Sequence, residues 1–384
     1  SVGGSWNIYK EKFFQADFVD MLKLRASYGI GGNIGRNTAP YLIASYYDSS
    51  LVDGMAGSVN TPPNKDIRWE KTTTVNVGVD FALFRHRLSG TIEYYNKYSV
   101  DLLAAINGSP TQGFGYTTLM TNNGKMVNRG VEITLSGEII RQKDFSWNAS
   151  LLYAFNRNKV KHISVQPSLW DSRISMPTSY PMVGKPLYGI YAYKWAGLNE
   201  NGDPQVYDAE NNVTSGPARD YHALVYCGTT VPIHNASLTN VLRYKGFEFS
   251  AMLILDAGHK LRSSNIPSIN MSNGRITSTA KGIVDRWTQP GDVTDVPRLL
   301  FSNDTENFNT HRTELYRYSD LFVYDASNIR LSNISLAYRV PAHWCKKISL
   351  SGARLQFNVE NVATFAFDSK ANYDLGGKVK PNYV

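Results

Sequence analysis

The sequence predicts an all-β fold: a portion of an antiparallel transmembrane β-barrel with short periplasmic turns and long extracellular loops. Three observations carry this. Apolar residues recur at every second position along extended segments, the period of a strand with one apolar and one polar face. These segments are long, matching the roughly nine to eleven residues a tilted strand needs to cross a bilayer rather than the five or six of a common soluble strand. They are joined alternately by tight turns and long loops, the layout of an outer-membrane barrel.

Taken in order, Leu22–Ile30 alternates Leu22, Leu24, Ala26, Tyr28 and Ile30 against Lys23, Arg25, Ser27 and Gly29. A long Gly/Ser/Asn-rich stretch follows to about Trp69. Next comes "TVNVGVDFALFRHRLSGTIEYYNKYSVDLL", a hairpin about the basic turn Arg85-His86-Arg87. Ser99–Asn128, rich in Gly, Thr and Asn, reads as a loop. "RGVEITLSGEII" and "FSWNASLLYAFNRN" form a second hairpin about Arg141-Gln142-Lys143-Asp144. A proline-bearing segment leads to "IHNASLTNVLRY" and "FEFSAMLILDAG", paired about Lys245-Gly246. A polar stretch from His259 to Arg312 precedes the last pair, "ASNIRLSNISLAYRV" and "KKISLSGARLQFNVENV", about Pro341–Cys345. Leu331 and Ile334 fall on opposite parities, which predicts a bulge between them. The alternation yields about ten strands. A soluble sandwich or propeller is the competing architecture, but no fixed repeat of about forty to fifty residues is present.

Composition narrows the class. Hydrophobic residues at 42% and charged residues at 19% describe a folded chain. Twenty-four tyrosines suit boundaries that are half apolar and half wet. The net charge of +8 is dispersed, with no basic run that would select nucleic acid. The two cysteines, Cys227 and Cys345, have neither metal-ligand spacing nor a disulfide framework. No apolar run reaches the roughly eighteen residues of a transmembrane helix, and "SVGGSWNIYKEKFF" is not a signal peptide.

Catalytic and cofactor motifs are missing as well. There is no Gly-x-Ser-x-Gly elbow, Walker loop or His-Glu-x-x-His. "GIGGNIG" (Gly29–Gly35) has the wrong glycine spacing for a dinucleotide, and "NENGDP" (Asn199–Pro204) reads as a turn rather than a calcium loop. "HRTE" (His311–Glu314) offers two ligands without a third. No enzyme, metal or cofactor is expected.

Six strings, in order, resemble the SusC/RagA-like family of TonB-dependent outer-membrane transporters. They are "MLKLRASYGIGGN" (Met21–Asn33), "IEYYNKYSVDLL" (Ile92–Leu103), "NNGKMVNRGVEITL" (Asn122–Leu135), "VGKPLYGIYAYKWAGL" (Val183–Leu198), "DRWTQPGDVTDVPR" (Asp285–Arg298) and "DASNIRLSNISLAYRVP" (Asp325–Pro341). The resemblance implies a single-chain, roughly 22-stranded barrel occluded by an N-terminal plug. It implies energy delivered by TonB through a TonB box and a SusD-like surface lipoprotein over the extracellular mouth. The cargo would be an oligosaccharide, or in some members a peptide, and the location the outer membrane of a Gram-negative, Bacteroidota-like bacterium. Residues 1–384 correspond to the C-terminal part of such a barrel, its later strands, with plug, TonB box and last strand expected outside this chain.

On this reading Asn76, Asp80, Glu93, Lys97, Glu132, Glu138 and Glu248 face the lumen, while Val75, Val77, Val79, Phe81 and Leu83 face lipid. Sugars stack on aromatic faces, so the loop aromatics Trp170, Tyr180, Tyr207 and Trp287 are candidate ligand contacts; each also suits membrane-boundary anchoring or loop packing. Two rival readings are an outer-membrane barrel hydrolase, for which no nucleophile–base pair stands out, and a soluble β-rich adhesin or binding module.

Overall fold

Ten strands pair in the order in which they occur along the chain. They are β1 (Val2–Asn7), β2 (Val19–Asn33), β3 (Glu70–Leu83), β4 (Leu88–Asn107), β5 (Thr118–Arg141), β6 (Phe145–His162), β7 (His234–Tyr244), β8 (Phe247–Ala257), β9 (Asn328–Arg339) and β10 (Arg354–Ala366). Each pairs antiparallel with its predecessor and successor, and β1 and β10 are the two edges of the sheet. The computed structural model describes residues 1–35, 40–49, 54–61, 63–107, 118–165, 172–216, 220–267, 269–272, 275–279, 281–299, 310–347, 349–371 and 374–375.

The short connections lie at one end of the strands. The turn after β3 is compact because Phe84, Arg85 and His86 all take left-handed backbone, at φ 57°, 60° and 60°. The His86 amide donates to Asp20 Oδ2 at 2.8 Å, tying this turn to the start of β2. Gln142–Asp144 and Lys245-Gly246 close the next two hairpins. The predicted bulge is present. Ser332 has no partner on β8 or β10, and the register shifts at that point on both sides.

Several strands go beyond the sequence reading. β1 is an added strand, built from the glycine-rich VGGSWN, whose alternation is carried by Val2 and Trp6 alone. The stretch read as a loop over Ser99–Asn128 is largely strand, because β4 runs to Asn107 and β5 starts at Thr118. Side-chain-to-backbone bonds help to hold this extension. Asn122 Nδ2 donates to the carbonyls of Arg68 and Asp101 at 2.7 Å each, and its Oδ1 accepts from the Arg68 amide at 2.9 Å. Within the segment before Trp69, Ile43–Ser49 and Gly54–Thr61 form a separate hairpin. The connection from β9 to β10 carries a short helix, Ala342–Lys347, rather than a tight turn.

The chain divides into two compact units. The first, Ser1–Ser164, Pro232–Gly258 and Ser327–Phe367, holds the ten-stranded sheet. The second, Val165–Val231, His259–Ala326 and Asp368–Val384, is drawn mostly from the two longest connections. Its core is Tyr191, Tyr193, Val206, Ala223, Leu224 and Leu315. Gly189–Tyr193 pairs there with Leu224–Thr229, and Lys260–Arg262 with Val323–Asp325. The Arg262 guanidinium donates to the carbonyls of Tyr191, Arg317 and Ser319, filling acceptors that burial would otherwise leave without partners.

Candidate functional site: two unlike faces of one sheet

In an antiparallel pair, residues opposite one another project to the same face. Following the pairs across the sheet therefore sorts every strand position. Gly78 lies opposite Glu93, Glu93 opposite Glu132, Glu132 opposite Ala154, Ala154 opposite Asn235, and Asn235 opposite Asp256. By this path Asn76, Asp80, Glu93, Lys97, Glu132, Glu138 and Glu248 all share one face. Val75, Val77, Val79, Phe81 and Leu83 share the other, opposite Tyr28, Ala26, Leu24, Leu22 and Val19 of β2.

The polar face is organised by ion pairs. Arg25 Nε donates to both oxygens of Asp80, at 3.2 and 3.1 Å, and its Nη2 pairs with Glu93. Thr91 adds a hydroxyl bond to Asp80 Oδ1 at 3.0 Å. The guanidinium lies over Gly78, where a Cβ would stand 3.2 Å from Arg25 Cζ. Nearer the short turns, Glu248 accepts from Arg243 Nε at 2.7 Å and from Arg354 Nη2 at 3.0 Å. Tyr95 lies against Gly130 in the same way that Arg25 lies against Gly78. A Cβ on Gly130 would also approach the Phe155 carbonyl to 2.6 Å. Apolar side chains interrupt this face in places: Leu152 and Ile254 flank Ser237 in one cross-strand row, and Val241 and Met252 lie nearer the short turns.

The opposite face is apolar and open, with Val77 46% and Phe357 69% exposed. None of its register-paired positions on the ten strands is Asp or Glu. Its polar side chains between the turns and the row Tyr94–Val131–Phe155 are Asn240 and His234, and each makes a hydrogen bond within the face. Trp147 Nε1 donates to Asn240 Oδ1 at 3.1 Å, and Tyr153 Oη bonds His234 Nδ1 at 2.9 Å. One row further from the short turns, the face turns basic.

The loop aromatics are in different surroundings from one another. Trp170 lies outside the described residues. The Tyr180 carbonyl accepts from Arg173 Nε at 3.3 Å. The Tyr207 ring is covered by Lys194 Nζ, 4.5 Å from its centroid. Trp287 packs on Gly202, a left-handed turn glycine at φ 73° that leaves room for the indole. The described contacts do not join Tyr180, Tyr207 and Trp287 into a common platform. In "NENGDP", Asn199 Oδ1 accepts from the amides of Asn201 and Asp203 at 3.0 and 2.8 Å, which makes it a turn. Asp203 is held by Arg298 at 3.1 Å and Arg312 at 2.6 Å. Burial alone would push the Asp203 carboxyl up, but the two guanidiniums outweigh it and hold it below its ordinary range. Both cysteines are free thiols.

Arg25, Thr91 and Gly78 were not among the predicted polar-face residues. Arg25 was legible as the polar parity of Leu22–Ile30, but its partners lie on two neighbouring strands. That pairing needs the register.

The family model described as TonB dependent receptor-like, beta-barrel matches residues 1–362. TonB-dependent receptor P3 of Formosa agariphila is 27% identical over 96% of this chain and 38% of its own length. TonB-dependent receptor SusC of Bacteroides thetaiotaomicron is 26% identical over 94% of this chain and 36% of its own. The chain thus spans less than two fifths of these relatives. A structure of the RagAB peptide transporter matches with a TM-score of 0.76 at 23% identity, over 95% of this chain and 40% of that one, a likeness of fold.

Proposed function

We infer function from the premise that this chain belongs to the TonB dependent receptor-like β-barrel family, of the SusC/RagA type. Receptors of this family are not enzymes. The whole protein of which this sequence is a part is a TonB-dependent nutrient importer of the outer membrane. The ten strands are a contiguous arc of its wall, with the apolar face toward lipid and the polar face toward the lumen. The observation that carries this reading is the absence of any carboxylate among the paired positions of the apolar face, beside a polar face crossed by ion pairs. A buried acidic core position is tolerated in a soluble sandwich when paired; a lipid-facing one has no such recourse.

An arc of ten strands leaves two rows of unpaired backbone groups at β1 and β10, which hydrocarbon does not tolerate. Further strands of the same receptor pair with them. The cargo is an oligosaccharide delivered with a SusD-like surface lipoprotein, a reading supported by the SusC relative. Peptide cargo is the second reading, supported by the likeness to a peptide transporter. The test is extraction of the whole receptor from outer membranes in detergent, followed by intact mass and identification of co-purifying chains. A receptor well above 42.9 kDa with a bound lipoprotein is expected. Recovery of a 42.9 kDa chain from the soluble fraction overturns the membrane reading in favour of the adhesin. Uptake of labelled oligosaccharide against labelled peptide by cells with and without the gene then decides the cargo.

A further inference from the structure

The apolar face ends in a basic row. Past Tyr94, Val131 and Phe155, the next register row is Asn96, Arg129 and Arg157, and the row beyond it is Tyr98, Val127 and Lys159. Lys71 occupies the same face one row further on β3. Arg129 and Arg157 are directly opposite one another, an arrangement that costs free energy when nothing lies between them. Arg129, Arg157 and Lys159 are all exposed. Arg129 donates to Asn96 Oδ1 at 2.9 Å, and among the described residues no carboxylate pairs with any of the three. The polar face solves the same problem differently, pairing Arg25 with Asp80 and Glu93 and setting Arg243 and Arg354 on Glu248. Cations that could have been neutralised by one acidic neighbour are instead left clustered, at the height where the apolar band stops.

We propose that Arg129, Arg157 and Lys159 form a binding site for the phosphate groups of lipid headgroups in the leaflet on the long-loop side. The site rests on the outward assignment of the apolar face made above. Guanidinium forks take phosphate oxygens in two-point contact, and a phosphate between Arg129 and Arg157 turns their mutual repulsion into attraction. The rings of Tyr94 and Tyr98, both about two-fifths exposed, stand beside the row at the depth where acyl chains meet headgroups. Occupancy would fix the height of the receptor in the bilayer and would shield the loop-side extensions of β4 to β6.

The test uses the whole receptor in mild detergent, titrated with diphosphorylated lipid A and with its dephosphorylated counterpart, bound lipid being counted by native mass spectrometry. The wild type is expected to prefer the phosphorylated form. R157Q should raise its Kd about fivefold, and R129Q/R157Q/K159Q should abolish the preference. R157Q is informative even if the triple variant folds poorly, because no described hydrogen bond is lost with it. K143Q, at the short-turn end, should bind as the wild type does. Equal binding of both lipids by the wild type, or unchanged binding by R157Q and the triple variant, overturns the site. Full competition by millimolar inorganic phosphate makes it a free-anion site and overturns it equally. A photoactivatable acyl chain separates the two levels: labelling of β3–β6 with no phosphate preference removes the headgroup site alone, whereas no labelling there removes the outward assignment itself.

Discussion

Trp147 Nε1 donates a 3.1 Å hydrogen bond to Asn240 Oδ1 across neighbouring strands, on the face that is otherwise apolar. The pair explains how an amide is tolerated there. The bond gives the indole N–H its acceptor and occupies the amide oxygen.

Trp147→Phe should therefore destabilise the receptor by about 1–2 kcal/mol, because Asn240 is left without its donor in an apolar setting. Adding Asn240→Leu should recover most of the loss. A double-mutant cycle on denaturant unfolding in detergent measures the coupling, and additive single effects would show that the bond contributes nothing.

Val79→Arg places a guanidinium on the apolar face and should cost about 2–4 kcal/mol if that position lies near the bilayer midplane. The matched substitution on the other face is Thr134→Arg, an exposed position of β5. Asp80 is a poor comparison, since Asp80→Arg also removes the carboxylate that binds Arg25 and Thr91. Heat-modifiable mobility of the refolded receptor reports both variants; equal losses at Val79 and Thr134 would reverse the face assignment.

Gly130→Ala should cost about 1–3 kcal/mol, because the added methyl meets both the Tyr95 ring and the Phe155 carbonyl, which is only 2.6 Å from the Cβ position. Tyr95→Ala/Gly130→Ala should recover part of this and no more, since the carbonyl of β6 cannot withdraw as a side chain can. Unfolding midpoints of the three variants test the ordering.

Asp203 has its folded pKa held below the unfolded value by Arg298 and Arg312. Its stabilisation is therefore complete above the unfolded carboxylate pKa of about 3.9 and is lost as pH falls through the lower folded value. Limited proteolysis of the Val165–Val231 segment should accelerate at pH 3 relative to pH 6. Asp203→Asn should cleave fast at both values; a wild type indifferent to pH would remove the ion pairs from the account.

Thiol chemistry gives a simpler expectation. Burial pushes the Cys227 thiol up to about 11, and Cys345 is buried beneath its short helix. Maleimide at pH 7 should leave both unlabelled in the native receptor and label both in denaturant. Rapid native labelling of either would mean that its surroundings open.

Much of this architecture was legible because period-two alternation survives wherever a strand has two unlike faces. Val75 to Leu83 shows it plainly, and the seven polar positions chosen by parity do share a face. The misreadings have physical causes. β1 has glycine where alternation would need side chains. The extension of β4 past Ser99 is a nearly unbroken apolar run, Val100 to Ile106, and the start of β5 mixes Leu119 and Met120 with Thr and Asn. Neither shows alternation, and Asn122 ties them in place through backbone bonds that leave no period in the sequence. Asn96, Arg129 and Arg157 look like scattered loop-side polar residues until the register aligns them. The four loop aromatics were chosen by residue type alone, and type says nothing about whether a ring is already covered, as the Tyr207 ring is by Lys194.

Ser332 has a consequence best put in the language of codes. A strand with two unlike faces is a one-bit message, in which odd or even decides inside or outside. One unpaired residue inverts the message for everything beyond it. On the turn side of Ser332 the even numbers Ile334, Leu336 and Tyr338 carry the apolar face; on the loop side the odd numbers Ile329 and Leu331 do. Deleting Ser332 would restore plain alternation: Leu331 would adjoin Asn333 directly, keep its place opposite Leu253, and leave Arg330 beside Asp256. Keeping Ser332 but flattening the bulge is the change that corrupts the message, because it would carry Ile329 and Leu331 onto the polar face and Arg330 onto the apolar one. β9 thus carries its odd residue without loss of meaning only because the bulge absorbs it.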